Sequence, residues 1–115
     1  MAETQLHILR ESVELLILKA LTWGPMHGYA IAEWIETATD STLLIEEGTL
    51  YPALHRLARK RLVRSQWGAS ENNRRAKYYE LTAAGKSRLQ EQTSAWSRQV
   101  NAIAGALSLT TQSGR

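Results

Sequence analysis

The chain has 115 residues, 43% hydrophobic and 22% charged, which suits one folded domain and excludes a disordered chain. It contains no cysteine, which excludes disulfides, a thiolate nucleophile and cysteine-ligated zinc. Its net charge of +3 is uneven: residues 1–53 hold 2 basic and 8 acidic residues, residues 54–88 hold 10 and 2, and residues 89–115 hold 2 and 1. The basic middle segment favours a nucleic-acid partner.

The first predicted helix spans residues 12–23, with Ser12 as its N-cap and Gly24-Pro25 as its stop. Its apolar residues cover most of its circumference, which predicts a partner subunit as well as the chain's own core. The alternative is a central core helix of a monomer. Its longest apolar run, residues 15–18, is far shorter than the ~20 residues of a membrane span, and no secretory signal is visible. We therefore expect a cytoplasmic protein without membrane contact.

The second predicted helix spans residues 27–37 and turns Ile31 and Ile35 toward the core. His27 and Tyr29 are expected to cap and pack its start, with a phosphate contact as the alternative. We expect Trp34 to anchor this helix or to lie at a dimer edge.

The third predicted helix runs from about residue 47 to residue 61, and Leu50, Leu54 and Leu57 form its buried stripe. Proline breaks a helix interior, so Pro52 is expected in the first turn. The face opposite the stripe is predicted to carry Gly48, Pro52, His55, Arg56 and Arg59.

A hairpin is predicted next, because residues 63–67 and 77–81 alternate at period two and are rich in β-forming side chains. The segment between them is polar and basic, which predicts a long exposed tip. Trp67 is expected to anchor the hairpin, and Tyr79 to face inward.

The last predicted helix spans residues 83–107, with Thr82 as its N-cap. Leu89, Thr93, Trp96, Val100, Ile103 and Leu107 follow a 4-3-4-3-4 spacing along it. This seam is too short to identify a coiled coil but long enough to require a partner surface.

Three helices followed by a basic hairpin predict a winged helix-turn-helix. The fold class is therefore mainly α with a small β-hairpin. We expect a DNA-binding domain over residues 8–82, a dimerisation helix over residues 83–108, and a flexible tail over residues 109–115.

The third helix and the wing are the predicted DNA-binding surface, because arginine suits the acceptors of the major groove and cations suit phosphates. For Tyr51 the alternative is packing beside the leucine stripe, for His55 a solvated surface side chain, and for the wing cations a solvated loop. The predicted DNA-binding residues are Thr49, Tyr51, Pro52, His55, Arg56, Arg59, Asn73, Arg74, Arg75 and Lys77.

Three stretches of the chain resemble the PadR family of bacterial transcriptional regulators. They are GPMHGY at residues 24–29, EGTLYPAL at residues 47–54, and KYYELT at residues 77–82, which leads on to Gly85. The single last helix looks like the short subfamily. One departure is the basic Arg59-Lys60-Arg61, where many members have acidic residues and a glycine.

The resemblance implies a homodimer that binds a two-fold operator on double-stranded DNA, usually as a repressor. It also implies that the first and last helices join the two copies. The predicted interface residues are Leu16, Trp23, Leu89, Trp96, Val100, Ile103 and Leu107.

Trp96 is expected to belong to the dimer core, where it would meet its own copy near the two-fold axis. The alternative is that the two indole faces stack on a small aromatic effector. No phosphate loop, nucleophile motif or local metal spacing is visible, so we expect neither an enzyme nor a cofactor. The rival functions are a winged-helix protein-interaction module and an effector-binding protein without operator binding.

Overall fold

A computed structural model describes residues 10–110 of the chain. Within them the order of the elements is helix, short strand, two helices, hairpin and long helix, which confirms the predicted fold class and adds one strand. The elements are α1 (Arg10–Ala20), β1 (Met26–His27), α2 (Gly28–Ala38), α3 (Glu47–Arg59), β2 (Val63–Ala69), β3 (Arg75–Leu81) and α4 (Ala83–Leu107). The predicted domain start at residue 8 and residues 111–115 of the predicted tail lie outside the described part.

Helix α1 supplies the centre of the core, because Val13, Ile17 and Leu18 are fully buried. Ser12 lies inside this helix, so its prediction as the N-cap is wrong. A single 3₁₀ turn (Leu21–Trp23) follows α1. It ends at Gly24, whose φ of 124° favours glycine.

Helix α2 begins where His27 caps it, since the backbone N–H of Ala30 donates to His27 Nδ1 at 3.2 Å. The predicted inward pair Ile31 and Ile35 is buried, and Trp34 packs partly against the same core. Capping by His27 is thus confirmed, whereas Tyr29 is 71% exposed and its ring lies 6.4 Å from the ring of His27, outside the core.

Helix α3 buries the predicted leucine stripe, with Leu50, Leu54 and Leu57 almost inaccessible to solvent. Pro52 is the sixth residue of the helix and not part of its first turn, which corrects the prediction. Pro52 lies on the exposed side of α3. Because proline has no backbone N–H, the helix lacks one hydrogen bond there, at a position that solvent reaches.

The three strands form an antiparallel sheet in the order β1-β3-β2. Val63 and Tyr79 are buried at the base of the hairpin, and the predicted strands each extend two residues further toward the tip. Trp67, which is predicted to anchor the hairpin, pairs with Lys77 in the tip half and is 54% exposed, so it contacts the opposite strand and not the core.

Helix α4 has the predicted bounds and the predicted cap, because the backbone N–H of Gly85 donates to Thr82 Oγ1 at 3.0 Å. The first turns lie against the body of the domain, where Leu89 packs on the core. Beyond residue 92 nearly every side chain is exposed, so α4 projects from a molecule of 61 × 38 × 22 Å.

Candidate nucleic-acid interface

The exposed face of α3 carries Thr49, Tyr51, Pro52, His55 and Arg59. The leucine stripe produces this arrangement, because burying one side of an amphipathic helix turns the other to solvent. The structure therefore brings these five predicted residues onto one surface.

The wing is the second part of this surface. Its tip is a tight turn, in which the backbone N–H of Ser70 donates to the carbonyl of Arg74 at 2.7 Å and that of Asn73 to the carbonyl of Ser70 at 2.8 Å. Asn73 has a φ of 60°, a conformation that asparagine adopts more readily than most residues. This turn holds Arg74 and Arg75 exposed at the end of the hairpin.

A groove of 590 Å³ separates α3 from the wing. Tyr51 and His55 line its α3 side, and Trp67, Arg75 and Lys77 line its wing side. The start of α2 contributes His27 and Tyr29 to the same groove. Cations and aromatic rings thus line one groove between α3 and the wing.

Tyr51 is packed on one side and faces the groove on the other, and its contact with DNA stays a prediction. Its ring lies against Gly28, where an added Cβ would be 2.5 Å from the Tyr51 hydroxyl, so the lack of a side chain at Gly28 makes room for it. Its other side is exposed to the groove. The aromatic ring is therefore held at the start of α2 while part of it stays accessible.

Arg56 does not lie on the exposed face of α3, which corrects the prediction. Its Nε donates to Glu14 Oε2 of α1 at 2.7 Å, and the side chains are only 18% and 12% exposed. Lys60 Nζ reaches the other oxygen of Glu14 at 3.2 Å. Arg56 thus joins α3 to α1, and the structure separates it from the other predicted DNA-binding residues.

Glu14 is held as a carboxylate by this pair of cations. Burial by itself raises the pKa of Glu14. The hydrogen bonds and charges of Arg56 and Lys60 together lower it by more, so the net pKa is below its ordinary value of 4.5. The negative charge is therefore present at neutral pH, where it stabilises the contact between the two helices.

Trp67 is a groove residue that the sequence assigned to a different role. The guanidinium carbon of Arg75 lies 4.6 Å from the centre of the indole ring, and Lys77 Nζ lies 5.9 Å from it. The sequence showed the period-two alternation that puts Trp67 on the same side as Val63, and it showed the basic tip. It did not show the strand register that sets Lys77 opposite the ring.

The predicted dimer residues lie along α1, the 3₁₀ turn and α4. Leu16 and Leu89 are partly buried against the chain's own core, and they border a groove between α1 and α4. The others are exposed or partly exposed, and Leu107 is 79% exposed. They are Trp23, Trp96, Val100, Ile103 and Leu107.

The described residues form neither a metal cluster nor a membrane span. No group of three or more histidine, aspartate or glutamate side chains among residues 10–110 is placed to hold a metal ion. None of the helices in this range has both the length and the apolar composition that crossing a membrane requires.

Comparison with protein families gives one match over most of the chain. The model of the transcriptional regulator PadR-like family matches residues 17–91, from the middle of α1 to the first part of α4. An uncharacterized protein from Lysinibacillus sphaericus is 30% identical over 89 residues, which are 77% of this chain and 82% of that protein.

Solved structures show the same fold. A transcriptional regulator from Clostridium thermocellum is 31% identical, with a TM-score of 0.76 over 84% of this chain and 93% of that chain. A PadR family transcription regulator from Clostridium difficile is 31% identical, with a TM-score of 0.70 over 83% and 97%. A protein from Streptococcus mutans is 29% identical, with a TM-score of 0.79 over 90% and 93%.

Proposed function

The chain belongs to the PadR-like family of transcriptional regulators, and we propose that it represses transcription by binding a two-fold operator as a homodimer. As a member of this family it is a DNA-binding regulator and not an enzyme. The surface of α3 and the wing supports the operator, and the exposed seam of α4 supports the dimer.

The observation that carries the proposal is the shared surface of α3 and the wing. His55 on α3 and Arg74 and Arg75 on the wing line opposite sides of one groove. Arg59 is exposed one turn further along α3. In a winged helix the recognition helix enters the major groove, and the wing reaches the neighbouring backbone. We therefore assign base or phosphate contacts to α3 and phosphate contacts to the wing.

The homodimer is supported by the exposed apolar seam of α4. Trp96, Val100, Ile103 and Leu107 recur every three or four residues, so they lie along one side of the projecting helix. A second copy of α4, together with the groove beside α1, would bury this seam. A two-fold dimer then presents two α3 helices to two half-sites of an operator.

A small aromatic effector is the proposed signal for release. Trp96 is 46% exposed in the described chain, and it would face its own copy across the dimer. Two such indole rings can stack on a flat aromatic molecule. A repressor of this kind acts on chromosomal DNA, so we place it in the cytoplasm.

The experiment that tests the proposal is selection of binding sites from a random duplex pool, followed by measurement of affinity against salt concentration. If about six phosphates are neutralised, log K should fall against log[salt] with a slope near −5. Arg59→Ala should weaken binding to the selected site by about 1–3 kcal/mol, and much less on random DNA, if Arg59 contacts a base. Failure to select any site, or a monomer in sedimentation at binding concentrations, would contradict the proposal.

A further inference from the structure

Trp67 is a large aromatic side chain that the core does not explain. It lies in the tip half of β2 and is 54% exposed. The indole is neither one of the buried core residues nor one of the partly buried hydrophobic residues packed against them. Its position therefore points to a partner outside the core.

Two cations lie beside the ring, and neither is paired with a carboxylate among residues 10–110. Lys77 stands directly opposite Trp67 in the β2–β3 register, and Arg75 stands diagonally across. In the part of the chain that the structure describes, the ion pairs join Glu14 to Arg56 and Lys60, and Glu80 to Arg64. Arg75 and Lys77 thus have the indole face in place of a carboxylate.

The side of the hairpin on which this group lies decides what it can contact. Trp67, Arg75 and Lys77 share the side that carries Tyr79 at the base, and all of them line the groove facing α3. Arg64 lies on the other side of β2, where Glu80 pairs with it at 2.8 Å. The indole and its two cations are therefore presented to whatever occupies the groove between α3 and the wing.

Stacking on the indole has a specific consequence for Arg75. An exposed arginine loses side-chain freedom when it binds a phosphate, and that loss weakens the contact. A guanidinium already stacked on a ring has lost part of this freedom, while the N–H groups at its edge remain able to donate to an anion. The ring also offers a flat apolar surface beside the cation.

We propose that Trp67 is a positioning residue of the DNA-binding surface, whose ring holds Arg75 within the groove for contact with a backbone phosphate. This inference rests on the proposed DNA binding and adds a residue that acts through Arg75. It predicts that Trp67 affects affinity without changing the number of phosphates contacted.

The test compares Trp67→Leu and Trp67→Phe with the wild type on a duplex selected by the wild type. Cation–π contacts at exposed sites correspond to about a 2- to 5-fold effect on an equilibrium constant, so Trp67→Leu should weaken binding by that factor. Trp67→Phe keeps an aromatic face and should recover part of the loss. The salt slope should stay unchanged in both, whereas Arg75→Gln should reduce its magnitude by about 0.9.

A double-mutant cycle shows whether Trp67 acts through Arg75. In an Arg75→Gln background, Trp67→Leu should have a clearly smaller effect than in the wild type, because the cation that the ring positions is gone. Arg64→Gln is the matched control on the other side of β2, and combined with Trp67→Leu it should give an additive loss. Equal effects of Trp67→Leu in the presence and absence of Arg75 would overturn the proposal.

Two further results separate this inference from its alternatives. Thermal unfolding of Trp67→Leu should match the wild type, and a lower midpoint that accounts for the weaker binding would make Trp67 a structural anchor and overturn the proposal. If Trp67→Leu bound DNA as tightly as the wild type, the proposal would also be overturned. The proposed function would still stand in that case, because the wild type binds DNA. Absence of DNA binding by the wild type would instead refute the proposed function itself.

Discussion

The contact between α1 and α3 can be tested by replacing Glu14 with Gln, which keeps the shape of the side chain and removes its charge. The Glu14 side chain is 12% exposed, and it accepts from Arg56 at 2.7 Å and from Lys60 at 3.2 Å. After the change, the Arg56 guanidinium stays in a partly buried position without a negative partner. We expect the folded state to be destabilised for that reason.

The magnitude follows from the burial of the two cations. Removing one partner of a fully buried pair costs about 3–5 kcal/mol, and an exposed pair contributes about 0–1 kcal/mol. Arg56 is close to the first limit, but the Gln carbonyl can still accept its hydrogen bond, and Lys60 is 48% exposed. We therefore expect Glu14→Gln to lower the free energy of unfolding by about 2 kcal/mol.

The assay is denaturant unfolding at pH 7, at one fixed protein concentration because dimerisation affects apparent stability. Glu80→Gln is the matched control, since its partner Arg64 is 71% exposed and the change should cost at most about 1 kcal/mol. Arg56→Gln should lower stability and leave the salt slope of DNA binding unchanged. A cost for Glu14→Gln no larger than that of Glu80→Gln would refute the reasoning.

The same pair predicts how stability depends on pH. The folded-state pKa of Glu14 is lowered from 4.5, so the charge contributes stability above pH 4.5 and loses that contribution as the pH falls through the folded-state value. The stability difference between wild type and Glu14→Gln should therefore be largest near neutral pH and shrink in acid. Urea midpoints measured across an acidic pH series check this, and a constant difference would contradict it.

Further predictions concern glycines. Gly85→Ala would push a Cβ into the backbone carbonyl of Leu62, so it should cost about 2 kcal/mol or more in urea unfolding. Gly105→Ala is its control in the same helix, because nothing lies within 4 Å and helix propensity favours alanine by about 1 kcal/mol. Gly28→Ala should displace the ring of Tyr51. Titration of labelled operator should then show weaker binding, with little change in the free energy of unfolding. An unchanged affinity would show that the position of this ring is unimportant for binding.

The sequence alone determined the elements whose signals are local. Thr82 caps α4 because its hydroxyl accepts the N–H of a residue only three positions away. The leucine stripe of α3 and the bounds of α4 likewise follow from periodicity within one segment. The mainly helical winged fold followed from these elements in order, and the family followed from the resemblance of three short stretches, at residues 24–29, 47–54 and 77–82.

Only the tertiary structure decided the direction of side chains between those elements. Successive residues on a helix are 100° apart, so Arg56, next to the buried Leu57, can turn toward solvent or toward a neighbouring helix. The deciding partner is Glu14, 42 residues earlier in the chain. Trp67 likewise depends on the strand register that brings Arg75 beside its ring. Periodicity predicts which face of an element is buried, but a long side chain at the edge of that face takes its direction from charges and rings that folding brings near it.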